Sequence, residues 1–357
     1  MSKDQKNKLP YLILLFGIAV ACLGLVAIYD ASVIDAFKTF GDKFHYVKQQ
    51  GSWLILGIIV ALITSKIPLE LIKKLAPFFL GFSLILMVLV LIPGIGSKLL
   101  GARRWIVLGP IVIQPSELLK ISLIIYLSGW LEKQRELFHF LSLVGLCLIL
   151  IMLQPDLGTS LIVLGASFMV YYLSGAPIKN ILLFSGTLLI AVLCLILLSP
   201  YRMNRVKTFL DPTSDPLGRS YHINQVLYGI GSGGLSGVGL GRSRQKYAFL
   251  PEATTDSIFV IIAEEFGFLG STLVIGFLVY LVLASFKVAI LSKDKFNKLL
   301  SSGVSLLFLV QIFVNLGSMV ALIPLTGVPL PFISYGGSSL VSNFLALGLL
   351  INVSQKI

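Results

Sequence analysis

Charge is what this sequence has least of. Only 12% of its 357 residues are Asp, Glu, Lys or Arg, against 56% hydrophobic ones, whereas a soluble chain carries roughly a quarter charged residues. That excludes an ordinary water-soluble domain and makes lipid the natural solvent. Cysteine is nearly as scarce: Cys22, Cys147 and Cys194 all fall inside apolar runs and no two share a loop, which argues against a disulfide framework or a thiolate metal site. The three histidines, His45, His139 and His222, have no metal-ligand spacing. Short alternating segments, the mark of a membrane β-barrel, are missing as well; the apolar stretches run unbroken, as over residues 181–198. No internal repeat or low-complexity tract is visible.

What is present is a series of apolar runs, each long enough to cross a hydrocarbon core about 30 Å thick as helix. They predict an all-α, polytopic membrane protein of about ten transmembrane helices, one domain over residues 1–357, with one large extracytoplasmic loop over about 200–256. The spans fall near residues 11–29, 50–65, 75–94, 115–131, 138–153, 157–174, 181–199, 257–287, 300–323 and 338–353. The first run follows Lys3, Lys6 and Lys8, and its length favours an uncleaved span over a signal peptide. Fourteen Lys and Arg lie in the short loops and termini on the amino-terminal side against six on the other, so both termini are expected in the cytoplasm. The net charge of +12 then reflects topology, and no nucleic-acid partner is expected. The long loop carries Tyr201, Phe209, Tyr221, Tyr228, Tyr247 and Phe249, a composition that argues against disorder.

Ionisable groups at membrane depth are expensive, which makes them functional candidates by default. Arg103, Arg104 and Trp105 precede Gln114-Pro115-Ser116-Glu117, and Lys120 stands where it can pair with Glu117 at i,i+3. Capping by Pro115 and Glu117 and interfacial anchoring by Trp105 explain part of this stretch, but not Lys120. Asp156, after Gln154 and Pro155, is equally an N-cap or a substrate-site residue. Seven glycines in residues 229–241, followed by Arg242, Arg244 and Lys246, suit a pyrophosphate approached by backbone amides. Asp256 precedes the next span as an N-cap, a general base or a divalent-metal ligand. Glu264 and Glu265 lie two turns further on. Finally, residues 324–339 hold three prolines before Gly336-Gly337, a non-helical segment that must line a cavity or be buried in protein. Its Ser334, Tyr335, Ser338 and Ser339 offer neutral hydrogen-bond groups suited to sugar hydroxyls.

These four stretches, in this order, resemble the signatures of the SEDS family (shape, elongation, division and sporulation proteins), the string over residues 329–339 being the most specific. Tyr201, Arg205, the Phe209-Leu210-Asp211-Pro212 string and residues 239–246 look more like its division branch, FtsW, than its elongation branch, RodA. The resemblance implies a peptidoglycan glycosyltransferase that polymerises lipid II at the outer face of a bacterial cytoplasmic membrane. It also implies an undecaprenyl-pyrophosphate-linked glycan as donor, a class B penicillin-binding protein as transpeptidase partner, other divisome proteins, and a role in septal wall synthesis.

On that resemblance Asp256 is the essential acid, as base or as ligand of a divalent cation (Mg or Mn). Arg103, Trp105, Glu117, Lys120, Asp156, Arg242, Lys246, Ser334, Tyr335 and Ser338 are the expected substrate contacts. Many members have His and Phe where this chain has Thr254 and Ser257, and some a Lys where it has Thr326. Two other readings are a lipid II flippase and a non-catalytic scaffold of the division machinery.

Overall fold

The computed structural model describes residues 3–99, 102–109, 111–133, 136–184, 186, 197, 200–211, 215, 218, 220–247 and 249–357. Most of the expected seventh span, Cys194 with it, lies outside the described residues, as do Gly101, Pro212 and Arg219. The helices are α1 (Lys3–Phe40), α2 (His45–Thr64), α3 (Leu69–Leu89), α4 (Pro115–Trp130), α5 (Leu137–Met152) and α6 (Leu157–Leu173). After them come α7 (Pro200–Leu210), α8 (Tyr221–Ser232), α9 (Ile258–Leu291), α10 (Lys295–Met319) and α11 (Gly337–Ser354). Among the described residues α1, α2, α3, α9, α10 and α11 are long and apolar enough to cross a membrane, and α5 and α6 are shorter apolar helices. The expected figure of ten also counts α4 and the seventh span.

Burial ranks the helices. In α10 and α11 some 78% of the apolar window is enclosed by protein, against 28% in α2 and α3. The central helices are therefore the ones nearest the carboxyl end, and α2 and α3 turn most of their apolar side chains outwards. Local chemistry sets the ends: Pro115 opens α4 where a missing N–H costs nothing, and the Asp294 carboxylate caps α10 by accepting from Asn297 N at 2.9 Å.

Two features were not anticipated. Between α3 and α4 lies an antiparallel three-stranded sheet, β1 (Gly96–Leu99), β2 (Ala102–Leu108) and β3 (Ile111–Ile113), with Ser97 opposite Trp105 and Ile106 opposite Ile113. These strands are short, and their alternation is blurred by Arg103 and Arg104. The second feature explains why the eighth apolar run is so long. α9 is broken at Gly267, which has φ 64° and ψ −162°. Residues 258–265 are all buried, and the stretch beyond the break, residues 268–291, is about one bilayer long.

The glycine-rich segment closes that break. Val238 N and Gly239 N donate to the carbonyls of Glu264 and Glu265 (both 3.0 Å), while Phe268 N and Leu269 N donate to Gly234 O (2.8 Å) and Leu235 O (3.1 Å). A Cβ at Gly267 would lie 2.3 Å from Gly237 N and 2.7 Å from Leu235 O. Gly267→Ala is therefore expected to destabilise the fold by about 2–5 kcal/mol, combining left-handed strain with overpacking. Thermal unfolding in detergent checks it; an unchanged midpoint would mean that the clasp can open freely.

Candidate functional site

Asp256 sits in the turn that leads into α9, outside the spanning segment. The turn is held by Glu252, whose carbonyl accepts from Thr255 N (3.1 Å) and Ser257 N (3.2 Å) with its own φ at 52°. Thr255 Oγ1 donates to the Glu252 carboxylate at 2.9 Å and to Asp256 Oδ1 at 3.2 Å. Asp256 is buried. Burial, helped by the nearby Glu252 charge, pushes its carboxyl up to about 7; hydrogen bonds and the Arg205 charge oppose the shift.

The last loop, residues 320–336, folds over this turn. Tyr335 N donates to Thr254 O at 2.9 Å and Ser334 Oγ to Thr255 O. Thr326 to Val328 pack against the start of α6, where a Cβ on Gly158 would meet Val328 at 2.3 Å. A Cβ on Gly327 would lie 3.8 Å from Asp256 Oδ2. From below, Asn315 of α10 donates through Nδ2 to Asp256 O (2.8 Å) and Val328 O (2.7 Å). One turn earlier on α10, Gln311 Nε2 donates to Pro329 O at 2.9 Å, and Gln311 Oε1 accepts from Lys120 Nζ at 3.0 Å. Lys120 also pairs with Glu117 at 2.9 Å, both almost wholly buried. Polar contacts thus run without a gap from α4 through α10 to the backbone of Asp256.

The structure gives several expected substrate ligands a different occupation. Lys246 Nζ is buried against Asp30 Oδ1 (2.8 Å) and Glu265 Oε1 (3.0 Å). The amides of Gly241 and Ser243 donate to Glu265, and those of Arg244 and Gln245 to Glu264. The loop that looked ready for pyrophosphate instead spends these donors on the two glutamates of α9, because carboxylates enclosed at that depth need partners. Arg242 remains exposed. Ser334 Oγ also accepts from Leu330 N at 2.8 Å, and Ser338 Oγ accepts from Gln114 N (3.0 Å) and donates to Val112 O (2.9 Å). Tyr335 OH donates to Gln49 Oε1. These hydroxyls satisfy a loop that has no helix of its own to do so.

Asp156 is an N-cap, accepting from Thr159 N at 3.0 Å and Thr159 Oγ1 at 2.8 Å. Arg103 reaches Leu91 O at 3.4 Å, and Trp105 is half-buried in β2. It is Arg104 that ties the sheet to the α5–α6 turn, through the carbonyls of Gln154 and Pro155.

Beside the Asp256 turn lies a cavity of about 390 Å³ between α7, α8 and the last loop. Asn204, Arg205, Thr208 and His222 supply its polar lining, and Phe209, Ile223, Pro324 and Leu325 its apolar lining. Arg205 Nη1 donates to Leu325 O. His222 Nε2 hydrogen-bonds with Ser257 Oγ at 2.9 Å, and burial together with Arg205 depresses its pKa to about 4, so the imidazole is neutral at physiological pH. Among the described residues no three His, Cys, Asp or Glu side chains gather as a metal site.

Sequence reasoning passed over Gln311, Asn315 and Asp30, and weighed His222 only as a metal ligand. Gln311 and Asn315 had a signal, two amides one turn apart inside an apolar run, and Asp30 had its charge near the end of one.

Comparison with known proteins follows the same lines. Residues 10–357 match the FtsW/RodA/SpoVE family model, described as cell cycle protein. The chain is 36% identical to stage V sporulation protein E of Bacillus subtilis (98% of each chain) and 38% identical to a probable peptidoglycan glycosyltransferase FtsW of Trichlorobacter lovleyi (96% of this chain, 92% of that one). Among solved structures it resembles a chain from a study of how a peptidoglycan synthase complex coordinates polymerization and crosslinking, with TM-score 0.80, 30% identity and 97% of both chains covered. It also resembles the rod shape determining protein RodA of Thermus thermophilus, with TM-score 0.72, 29% identity, and 97% of this chain and 96% of that one covered.

Proposed function

The chain belongs to the FtsW/RodA/SpoVE family, and from that membership we propose that it is a peptidoglycan glycosyltransferase which polymerises lipid II at the outer face of the cytoplasmic membrane. The observation that carries the reading is Asp256: a buried carboxylate with its pKa lifted to about 7, in a turn whose Ser257 bonds to His222 in the wall of a cavity lined by both polar and apolar side chains. A general base works best when its pKa lies near the working pH. In the reaction a sugar hydroxyl of lipid II attacks the anomeric carbon of the lipid-linked glycan. Asp256 takes the hydroxyl proton, the bond from that carbon to the diphosphate breaks, and the polyprenyl diphosphate leaves with the electron pair. A single displacement inverts the centre and needs no covalent carboxylate.

Asp256 with Glu252 fits a divalent cation (Mg or Mn) only as a partial site. Such an ion is commonly held by one or two carboxylates together with water and substrate phosphates; bound there, it would neutralise diphosphate charge. Both termini face the cytoplasm in this reading, a class B penicillin-binding protein supplies the transpeptidase, and the pathway served is septal wall synthesis alongside other divisome proteins.

Purified full-length protein, with and without such a partner, is expected to convert lipid II to glycan chains resolvable by electrophoresis. Lipid II moved across vesicles without polymer formation would establish a flippase instead, and neither activity would leave a scaffold.

A further inference from the structure

We propose that Gln311 and Asn315, one turn apart on α10, are positioning residues for the glycosyl transfer: together they set where Asp256 stands relative to the last loop. The proposal deepens the polymerase reading and rests on it. No helix or strand runs through residues 320–336, so this loop takes its place from what its backbone meets. α10 is the frame it meets, with 78% of its apolar window enclosed by protein.

Asn315 is wholly buried. The two hydrogens of its amide are both spent on carbonyls, one in the turn (Asp256 O, 2.8 Å) and one in the loop (Val328 O, 2.7 Å). The opposite orientation would set its oxygen against two acceptors. One side chain thus fixes two segments to each other as well as to the helix. Gly327, next to Val328, approaches the Asp256 carboxylate: a Cβ there would lie 3.8 Å from Oδ2. Gln311 repeats the contact one residue further along the loop, at Pro329 O (2.9 Å). Its orientation is also dictated. An ammonium donates and cannot accept, so Lys120 Nζ claims Oε1 at 3.0 Å and Nε2 is left for the loop. Glu117 holds that ammonium in turn, at 2.9 Å. Charge buried on α4 is thereby converted into the orientation of a neutral donor beneath the site.

Placement at this scale governs rate. A general base must stand within hydrogen-bond reach of the proton it takes, and a misplacement of about 1 Å can cost about 10²-fold. Both amides act on backbone, so they should govern kcat and leave KM alone.

Lipid II turnover by the purified full chain tests this, each variant being assayed well below its own unfolding midpoint so that all of it is folded. Asn315→Leu, similar in shape and without donors, should lower kcat about hundredfold and Gln311→Met about tenfold, with KM within about twofold of wild type. Asn315→Ser, which keeps one donor, should fall between Asn315→Leu and wild type. Ser305→Ala, in which the lost hydroxyl donated to Ser301 O of the same helix, should turn over as wild type. Hydrogen exchange of Asn315→Leu, followed by mass spectrometry, should rise in residues 252–257 and 326–335 and stay unchanged in α3 and α5.

Wild-type kcat in Asn315→Leu and Gln311→Met under those conditions would reduce both amides to ordinary stabilisers of the fold, and a raised KM at unchanged kcat would make them substrate contacts; either overturns the proposal. So does exchange that is unchanged or that rises throughout the chain. If Asn315→Leu does not fold, Asn315→Ser and Gln311→Met carry the same test. Glycan synthesis that these variants leave untouched overturns the positioning role alone. Loosening confined to the turn and the loop, in a protein that makes no glycan from lipid II, overturns the polymerase reading and not the tie between the two segments.

Discussion

Asp256→Asn should abolish polymerisation while making the protein more stable above neutral pH. The carboxyl is raised from an ordinary 3.8 to about 7, chiefly by burial, so the folded state disfavours its charged form. Stability is present in full below about pH 3.8 and is lost as pH rises towards 7, since unfolding lets the group ionise in water. At 1.36 kcal/mol per unit the loss reaches up to about 4 kcal/mol above pH 7. An uncharged amide of the same shape does not suffer it. The unfolding midpoint of the variant should therefore exceed that of wild type at pH 8, with the gap narrowing towards pH 5. Wild-type turnover on lipid II should rise through about pH 7 as the base loses its proton. A variant that still polymerised at wild-type rate would remove Asp256 from the chemistry. One that melted earlier than wild type at pH 8 would mean that the charge is compensated in the fold.

The second large effect falls on Lys246, in the opposite direction. Removing its ammonium leaves Asp30 and Glu265 enclosed without their cation, and breaking a buried ion pair from one side costs about 3–5 kcal/mol. Glu265 also receives two loop amides, so the strain should reach the clasp around Gly267. Lys246→Met should thus lower the unfolding midpoint sharply and lose activity through the fold. A substrate ligand would behave otherwise: an unchanged midpoint and a raised KM for lipid II would return Lys246 to the role its sequence context suggested. Adding Asp30→Asn to Lys246→Met should restore part of the lost stability, because one of the stranded charges is then gone.

Helix positions were legible because lipid forces the issue. Residues 138–153, 157–174 and 338–353 were expected as spans, and the helices occupy Leu137–Met152, Leu157–Leu173 and Gly337–Ser354. The Glu117–Lys120 pair was legible for a related reason: two opposite charges one turn apart near lipid have few alternatives to each other. The glycine-rich loop misled because glycine permits close approach to any backbone, and the backbone it approaches is that of α9. Arg242, Arg244 and Lys246 read as one basic cluster, yet their side chains part company: Lys246 turns inward and the two arginines face out. The hydroxyls of Ser334 and Ser338 could not be assigned from sequence, since partners such as Thr255 O and Val112 O become neighbours only after folding. Gln311 and Asn315 were readable in principle; their weight comes from what they touch, the carbonyls of Pro329, Val328 and Asp256.

The break in α9 has a mechanical consequence. A membrane that thickens or thins acts on the segment in contact with lipid, which answers by tilting. Here that segment, residues 268–291, is joined to the enclosed stub bearing the Asp256 turn through one glycine whose flanking backbone groups are tied to a separate loop. Residues 234–239 bond to the backbone on both sides of that glycine, so the joint is splinted and a lean of the span carries the stub with it. The Asp256 turn is thereby coupled to the attitude of the segment that lipid holds, and bilayer thickness becomes a variable that reaches the site.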